Sequence, residues 1–182
     1  MVPISAVSTV YKILYAFPKY FFPQEMASSV TEINYDKFWE QGIRGLIFDI
    51  DNTLATFDIA LPDEQTTAFL RGLEKKGFAI CFLSNNSKKR VKLFSEGLGY
   101  PHIWRAQKPR RSGLRRAMDI LGLDKSQVVL IGDQIFTDCL AGNRAGVYTV
   151  LTAPINTRDE WQVKLKRFPE KLVLRAIRQA KL

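Results

Sequence analysis

Apolar residues along this chain gather in short runs separated by mixed segments. Residues 43–49, 78–83, 128–131 and 147–151 are such runs, and 102–104 is a weaker one. Runs of this length, rich in Val, Ile, Leu and Phe and bounded by turn residues, predict buried strands. The intervening stretches 62–76, 87–96, 111–121 and 137–145 mix apolar and charged positions at helical spacing. Asp63 and Glu64 open the first of them, where acidic residues favour a helix start. Gly77, Gly97, Gly122 and Gly146 follow the four segments and mark their ends. Strands alternating with helices predict an α/β fold: a doubly wound, Rossmann-like parallel sheet of about five strands, covered on both faces. Its crossovers are expected to be right-handed. No repeat, low-complexity tract or long linker breaks the pattern, so residues 1–182 read as one domain. Residues 1–40 read as an apolar, aromatic N-terminal extension, and 155–182 as basic C-terminal helices.

Parallel sheets bind ligands beyond the carboxyl ends of their strands. There the first strand runs into "FDIDNT", with Asp49, Asp51 and Thr53. The second ends in Ser84, Asn85 and Asn86; the weak third is followed by "AQKP" with Lys108; the fourth ends in "GDQIFTD", with Asp133 and Asp138. Each has a plain structural explanation, such as a turn aspartate or a capping serine. The spacing of Asp49, Asp51 and Thr53 also fits the start of a calcium loop. Leu54 and Ala60, where that loop needs Gly and Glu, exclude it. A glycosidase carboxylate pair stays open on these residues alone. Four polar arrivals at one sheet edge, in this order, favour function over coincidence.

Composition narrows the choices. An apolar content of 46% over 182 residues supports a real core. A net charge of +9 suits an anionic partner. Without a recognition motif and with basic residues spread broadly, nucleic acid is not expected. Cys81 and Cys139 do not make a disulfide framework, and with the lone His102 they offer no zinc cluster. The N-terminal stretch "MVPISAVSTVYKILYAFPKYFFP" is broken by Lys12, Pro18 and Lys19. It falls short of the roughly 20 apolar residues of a membrane span. A cytoplasmic protein is expected, peripheral at a membrane if at one at all.

"DIDNT", Ser84, Lys108 and "GDQIFTD" resemble, in order, the four motifs of the haloacid dehalogenase (HAD) superfamily of phosphohydrolases. The likeness runs from about residue 42 to 151. "FDIDNTL", "LSNN", "RVKLFSEGLG" and "GDQIFTDCLAGNRAG" are similar to the YqeG-type IIIA subfamily, with Gln107 a departure from its basic residue. The resemblance implies a Mg²⁺-dependent phosphomonoester hydrolase with an aspartyl-phosphate intermediate. Asp49 is then the nucleophile, Asp51 the general acid and base, and Lys108 the cation that keeps Asp49 ionised. Asp49, Asp133, Asp138 and the backbone carbonyl of Asp51 are the expected metal ligands. Thr53, expected to hydrogen-bond Asp51, joins Ser84, Asn85, Lys108, Asn143 and Arg144 as candidates to face the phosphate or substrate. A receiver-like phosphorylation switch would use similar groups, but the order of the motifs and the presence of Asp51 favour turnover. Only 26 residues separate Asp51 from Phe78, which leaves no room for a cap domain. An open site suits a large substrate. The subfamily resemblance implies an anionic lipid head group, phosphatidylglycerophosphate, with a soluble sugar or nucleotide phosphate as the alternative. Apolar residues 4–22 and the basic run 161–182 are the segments expected at a membrane surface. Arg110, Arg111, Arg115 and Arg116 form a basic stretch beside Lys108.

Overall fold

The computed structural model describes residues 18–156, with side chains from Tyr20 onward. The basic run 161–182 and most of the apolar N-terminal segment lie outside the described residues. Six strands form one sheet: β1 (Glu25–Ala27), β2 (Gly45–Phe48), β3 (Ala79–Leu83), β4 (His102–Ile103), β5 (Val128–Gly132) and β6 (Tyr148–Thr152). All neighbours pair in parallel, in the order β1-β6-β5-β2-β3-β4. The helices are α1 (Pro18–Phe21), α2 (Tyr35–Glu40), α3 (Glu64–Lys75), α4 (Lys88–Ser95), α5 (Ser112–Leu121) and α6 (Leu140–Ala145). The α/β, doubly wound architecture is the one expected.

The strands explain their own burial. Every residue of β2 and β5 is buried, as a parallel sheet covered on both faces requires. The period of two divides them. Leu46 and Phe48 join Phe38, Leu70, Leu73, Val91 and Phe94 on one face. Ile47, Cys81, Leu83 and Leu130 meet Leu114, Ala117 and Ala141 on the other. α3 therefore buries Leu70 and Leu73 while its Asp63 cap accepts from the Thr66 amide at 2.7 Å. Capping of this kind contributes about 1 kcal/mol. α5 ends at Gly122 in the left-handed conformation, as its glycine predicts.

Three differences from expectation have local causes. The sheet has six strands because Glu25–Ala27 adds an edge strand against β6. This strand holds one exposed methionine between two half-buried residues, so it carries no apolar run to detect. Part of the N-terminal extension is thus built into the domain, with Tyr35 and Phe38 of α2 in the core. α5 begins at Ser112, one residue later than the expected 111, and its cap Arg111 makes no side-chain bond there. The helix expected over 137–145 opens instead as a wide π turn, Ile135–Cys139, before α6.

The chain leaves the central β2 in one direction through β3 and β4, then returns to its other side at β5 and β6. The carboxyl ends of β2 and β5 therefore flank the switch point, where such folds open a crevice.

Candidate active site

β2 delivers Asp49 directly from the buried Phe48, and the Asp49 amide still donates to the Ile131 carbonyl of β5 at 2.9 Å. A tight turn follows. Asn52 sits at φ 64°, a conformation Asn tolerates better than most residues. The Leu54 and Ala55 amides return to the Ile50 carbonyl. β5 ends at Gly132, then Asp133. The π turn brings Asp138 back beneath Gly132, where a Cβ would lie 2.4 Å from the Asp138 carboxyl carbon. Only glycine fits there. The Gln134 amide donates to Asp138 Oδ2 at 3.1 Å and fixes that carboxylate.

One oxygen each from Asp49, Asp133 and Asp138 lies within 4.8 Å of the others, and all three residues are buried. Lys108 enters the same space from the loop after β4. Its Nζ lies 2.5 Å from Asp49 Oδ1, 2.6 Å from Asp138 Oδ1 and 2.8 Å from the Leu83 carbonyl. Burial pushes the Asp49 carboxyl up to about 7, with Lys108 opposing and Asp138 and Asp51 reinforcing the rise. Burial works against the Lys108 ammonium, but two adjacent carboxylates outweigh it and hold the amine charged. Three clustered carboxylates against one ammonium leave an excess of buried negative charge. A set of hard oxygen donors with that excess fits a divalent cation.

Asp51 stands apart from this cluster. Its Oδ1 pairs with Arg90 Nη2 at 3.1 Å, and its Oδ2 receives Asn86 Nδ2 at 3.2 Å and Ser84 Oγ at 3.4 Å. Thr53 does not hydrogen-bond Asp51 as expected: its amide orders the turn, while its hydroxyl is buried without a hydrogen-bond partner. Asn85 faces Lys108 rather than the crevice. Its side chain accepts from the Lys108 amide at 2.7 Å and donates to the Lys108 carbonyl at 2.9 Å, clamping the loop that carries the lysine.

Asn143 is engaged away from the site. The Asn143 amide donates to the Tyr20 and Phe22 carbonyls, and its oxygen accepts from Gln24 and Thr149. It ties the N-terminal segment to the start of β6, at the edge of the sheet opposite the site. Arg144 is exposed and reaches the Pro109 carbonyl at 3.3 Å. Phe21 and Phe22, expected at a membrane surface, pack against Ile135, Cys139 and Leu151.

Arg90 and Asn86 are the residues that the sequence reading leaves without a role. Arg90 lies three residues into the helix capped by Ser87, whose hydroxyl accepts from the Arg90 amide. A cation in the first turn of a helix is disfavoured by the dipole. That misplaced charge, one turn after a polar strand end, is the signal that could have found it.

Comparison with known proteins identifies the family. Residues 105–180 match the family model described as HAD-hydrolase-like. The Bacillus subtilis protein named "Probable phosphatase YqeG" is 35% identical over 161 residues, covering 88% of this chain and 94% of that protein. The chain belongs to the HAD-family phosphatases. Two phosphatidylglycerophosphate phosphatases are more distant. The Chlamydomonas reinhardtii enzyme is 27% identical over 76% of this chain, and the Arabidopsis thaliana enzyme 25% over 86%. The chain spans about half of each, 55% and 47%. Among solved structures, a HAD phosphatase from Thermococcus onnurineus superposes with TM-score 0.52 at 15% identity, over 65% of this chain and 88% of that one. The cobalt-bound deoxy-D-mannose-octulosonate 8-phosphate phosphatase of Haemophilus influenzae gives 0.51 at 18%, over 63% and 72%. These two likenesses establish the fold. In this HAD-family phosphatase nothing is inserted between β2 and β3 beyond a loop and α3, or between β3 and β4 beyond α4. Among the described residues no cap covers the crevice.

Proposed function

We propose that this chain is a magnesium-dependent phosphatidylglycerophosphate phosphatase that works through an aspartyl-phosphate on Asp49. One observation carries the chemistry: two carboxylates one residue apart have opposite partners. Asp49 lies against Lys108 among the clustered acids, and Asp51 points away to Ser84, Asn86 and Arg90. That division suits one group bonding to phosphorus and another handling protons.

Asp49, Asp133 and Asp138 would hold Mg²⁺ through side-chain oxygens, and Asp51 through its backbone carbonyl. Bound there, the ion would supply charge neutralisation for the phosphoryl group. An Asp49 oxygen forms a bond to phosphorus as the ester P–O bond breaks. Asp51 gives its proton to the departing alcohol oxygen. Water then attacks phosphorus, its proton passes to Asp51, and the bond to Asp49 breaks to release phosphate. Lys108 stabilises charge on the transferring group. Ser84 and the buried Thr53 hydroxyl donate to phosphoryl oxygens. Arg90, already beside Asp51, is a second cation for the incoming phosphate to engage.

The substrate assignment rests on different support: the two named lipid phosphatases among the relatives, and the uncapped crevice, which admits a headgroup still attached to its bilayer. The test is Mg²⁺-dependent phosphate release from phosphatidylglycerophosphate in mixed micelles, run beside sugar phosphates, nucleotides and phosphopeptides, with Asp49→Asn as control. The lipid is expected to be the best substrate. Faster turnover of a soluble sugar phosphate or nucleotide would replace the lipid assignment with a metabolite phosphatase. A single stable phosphorylation without release would replace the enzyme with a switch.

A further inference from the structure

Large apolar side chains are unevenly exposed on this molecule. Nine are exposed among the described residues, and five of them belong to loops at the carboxyl edge of the sheet. Three sit on one loop directly after the Asp51 turn: Phe57, Ile59 and Leu61, exposed by 50%, 42% and 55%. A fourth, Trp104, follows β4, and the fifth, Ile155, follows β6. Ile155 is tied to the same turn, its amide donating to the Asn52 carbonyl at 3.0 Å.

The loop is held in place. Arg90 Nη1 donates to the Ala60 carbonyl at 3.2 Å and Nη2 to the Thr56 carbonyl at 3.4 Å, while the same guanidinium pairs with Asp51. The Ile59 amide closes a turn on the Thr56 carbonyl. An anchored loop that still leaves three alternate apolar side chains in water needs a partner to justify it. After β4, the Trp104 ring has two cations near it, with Lys88 Nζ 5.7 Å and Arg105 Cζ 5.9 Å from its centroid. Lys89 and Arg110 are exposed nearby in the chain, and Asp58 is the acidic residue of the apolar loop. Asn86 links the segment after β4 to the Asp51 turn, its carbonyl accepting from the Arg105 amide and its side chain donating to Asp51.

We propose that this rim is a membrane-docking surface. Phe57, Ile59, Leu61 and Trp104 enter the headgroup zone of an anionic bilayer, and Lys88 and Arg105 engage lipid phosphates. The choice of a bilayer as occupant deepens the lipid-phosphatase reading and rests on it. The chemistry also fits: apolar tips with an aromatic near two cations match an interface that is apolar below and anionic above. Docked this way, the crevice faces the membrane plane, and a phosphorylated headgroup reaches Asp49 without leaving its lipid. The bilayer then supplies the water exclusion that a cap supplies elsewhere.

The test uses the full chain and vesicles of phosphatidylcholine with or without phosphatidylglycerol. Trp39 and Trp161 are replaced by Phe, leaving Trp104 as a reporter. Its emission is expected to shift to the blue with anionic vesicles and to return as salt is added. The triple variant Phe57→Ser, Ile59→Ser, Leu61→Ser is expected to bind these vesicles at least about tenfold more weakly. Its hydrolysis of a soluble phosphate monoester is expected to stay unchanged, which shows the site intact. Vesicle binding unaltered by the triple change, or no vesicle binding by the unmodified protein, overturns the proposal. So does a dimer in solution that the triple change splits, since the rim would then face a second copy. The phosphatase reading fails separately, if no phosphate monoester is hydrolysed while rim-dependent vesicle binding persists.

Discussion

Phe48 and Asp49 are neighbours on one strand end and are both buried, at 0% and 5% exposure, yet burial does opposite things to them. Below the boundary lie Phe48, Phe82, Cys81 and Leu83, where removal from water stabilises the fold at roughly 25 cal/mol per Å². Above it lie Asp49, Ser84, Lys108, Asp133 and Asp138, just as hidden. There, removal from water costs energy that only pairing offsets. The acids keep one ammonium among them, and burial drives the Asp49 carboxyl up to about 7. The site is therefore a region of strain placed on a foundation stable enough to carry it. Stability and reactivity can be separated by substitutions on either side of this boundary.

The sharpest separation comes from Asp49→Asn. Under the proposed mechanism it removes the nucleophile, and turnover of any phosphate monoester should fall by about 10⁴-fold or more. Because the change also removes one of three crowded carboxylates, the metal-free melting temperature should hold steady or rise. Steady-state phosphate release beside a thermal melt checks both halves. Near-normal turnover would remove Asp49 from the nucleophile's role.

Phe82→Ala probes the other side of the boundary. Phe82 is fully buried in β3 and makes edge-on contacts with Phe94 and Tyr100, at centroid distances of 5.5 and 5.9 Å. Truncation should cost about 3–5 kcal/mol, read by urea unfolding. The residual folded protein should keep its turnover, since no atom of the site changes. A large loss of kcat in the folded fraction would mean that the two regions are not separable.

Lys108→Met crosses the two. It leaves Asp49 and Asp138 buried without their ammonium, and the metal-free protein should lose about 3 kcal/mol. Added Mg²⁺ should then raise the melting temperature of the variant by more than it raises that of the unmodified protein, because the donor set carries one more uncompensated charge. Equal shifts would argue that the cation binds somewhere other than this cluster.

What the sequence made legible follows the same boundary. The central strands announce themselves because total burial demands unbroken apolar runs, and β2 and β5 have them. The acids and lysine at the strand ends were legible because the chain order places each at one edge. β1 was not: it is short and half-exposed, held by pairing with β6 and by the Gln24 side chain on Thr149 rather than by apolar content. Asn85, Asn143 and Thr53 show a second limit. Proximity in sequence to a motif says nothing about the direction of a side chain. Asn85 clamps the Lys108 backbone, Asn143 secures the N-terminal segment, and the Thr53 hydroxyl meets no hydrogen-bond partner. Arg90 was hidden for the converse reason. Its first-turn position on α4 marks it as unusual, but its role depends on reaching across to Asp51 and to the 56–60 loop, a tertiary fact that the local pattern does not state.

The smallest effect tests the foundation alone. Cys81 lies in β3, wholly buried and free of any disulfide. Burial raises its thiol from an ordinary value near 9.0 to about 12. The unfolded chain therefore loses this proton well before the folded protein does. Between those two values the folded state holds more protons, so stability falls as pH rises. The decline is about 1.4 kcal/mol per pH unit from this group. Below the lower value both states are protonated and the group adds no slope. Several tyrosines are also raised, among them Tyr100 and Tyr148, so the total alkaline decline has other contributors. The difference between the unmodified protein and Cys81→Ala isolates the thiol. At neutral pH the variant should be the less stable, having lost a buried sulfur from a packed strand. That deficit should shrink as pH climbs toward 12, because the variant has no thiol to ionise on unfolding. Urea unfolding at a series of alkaline pH values measures it. A deficit that stays constant across the range would mean that water reaches the sulfur, and that the dry region below the acids is thinner than the structure describes.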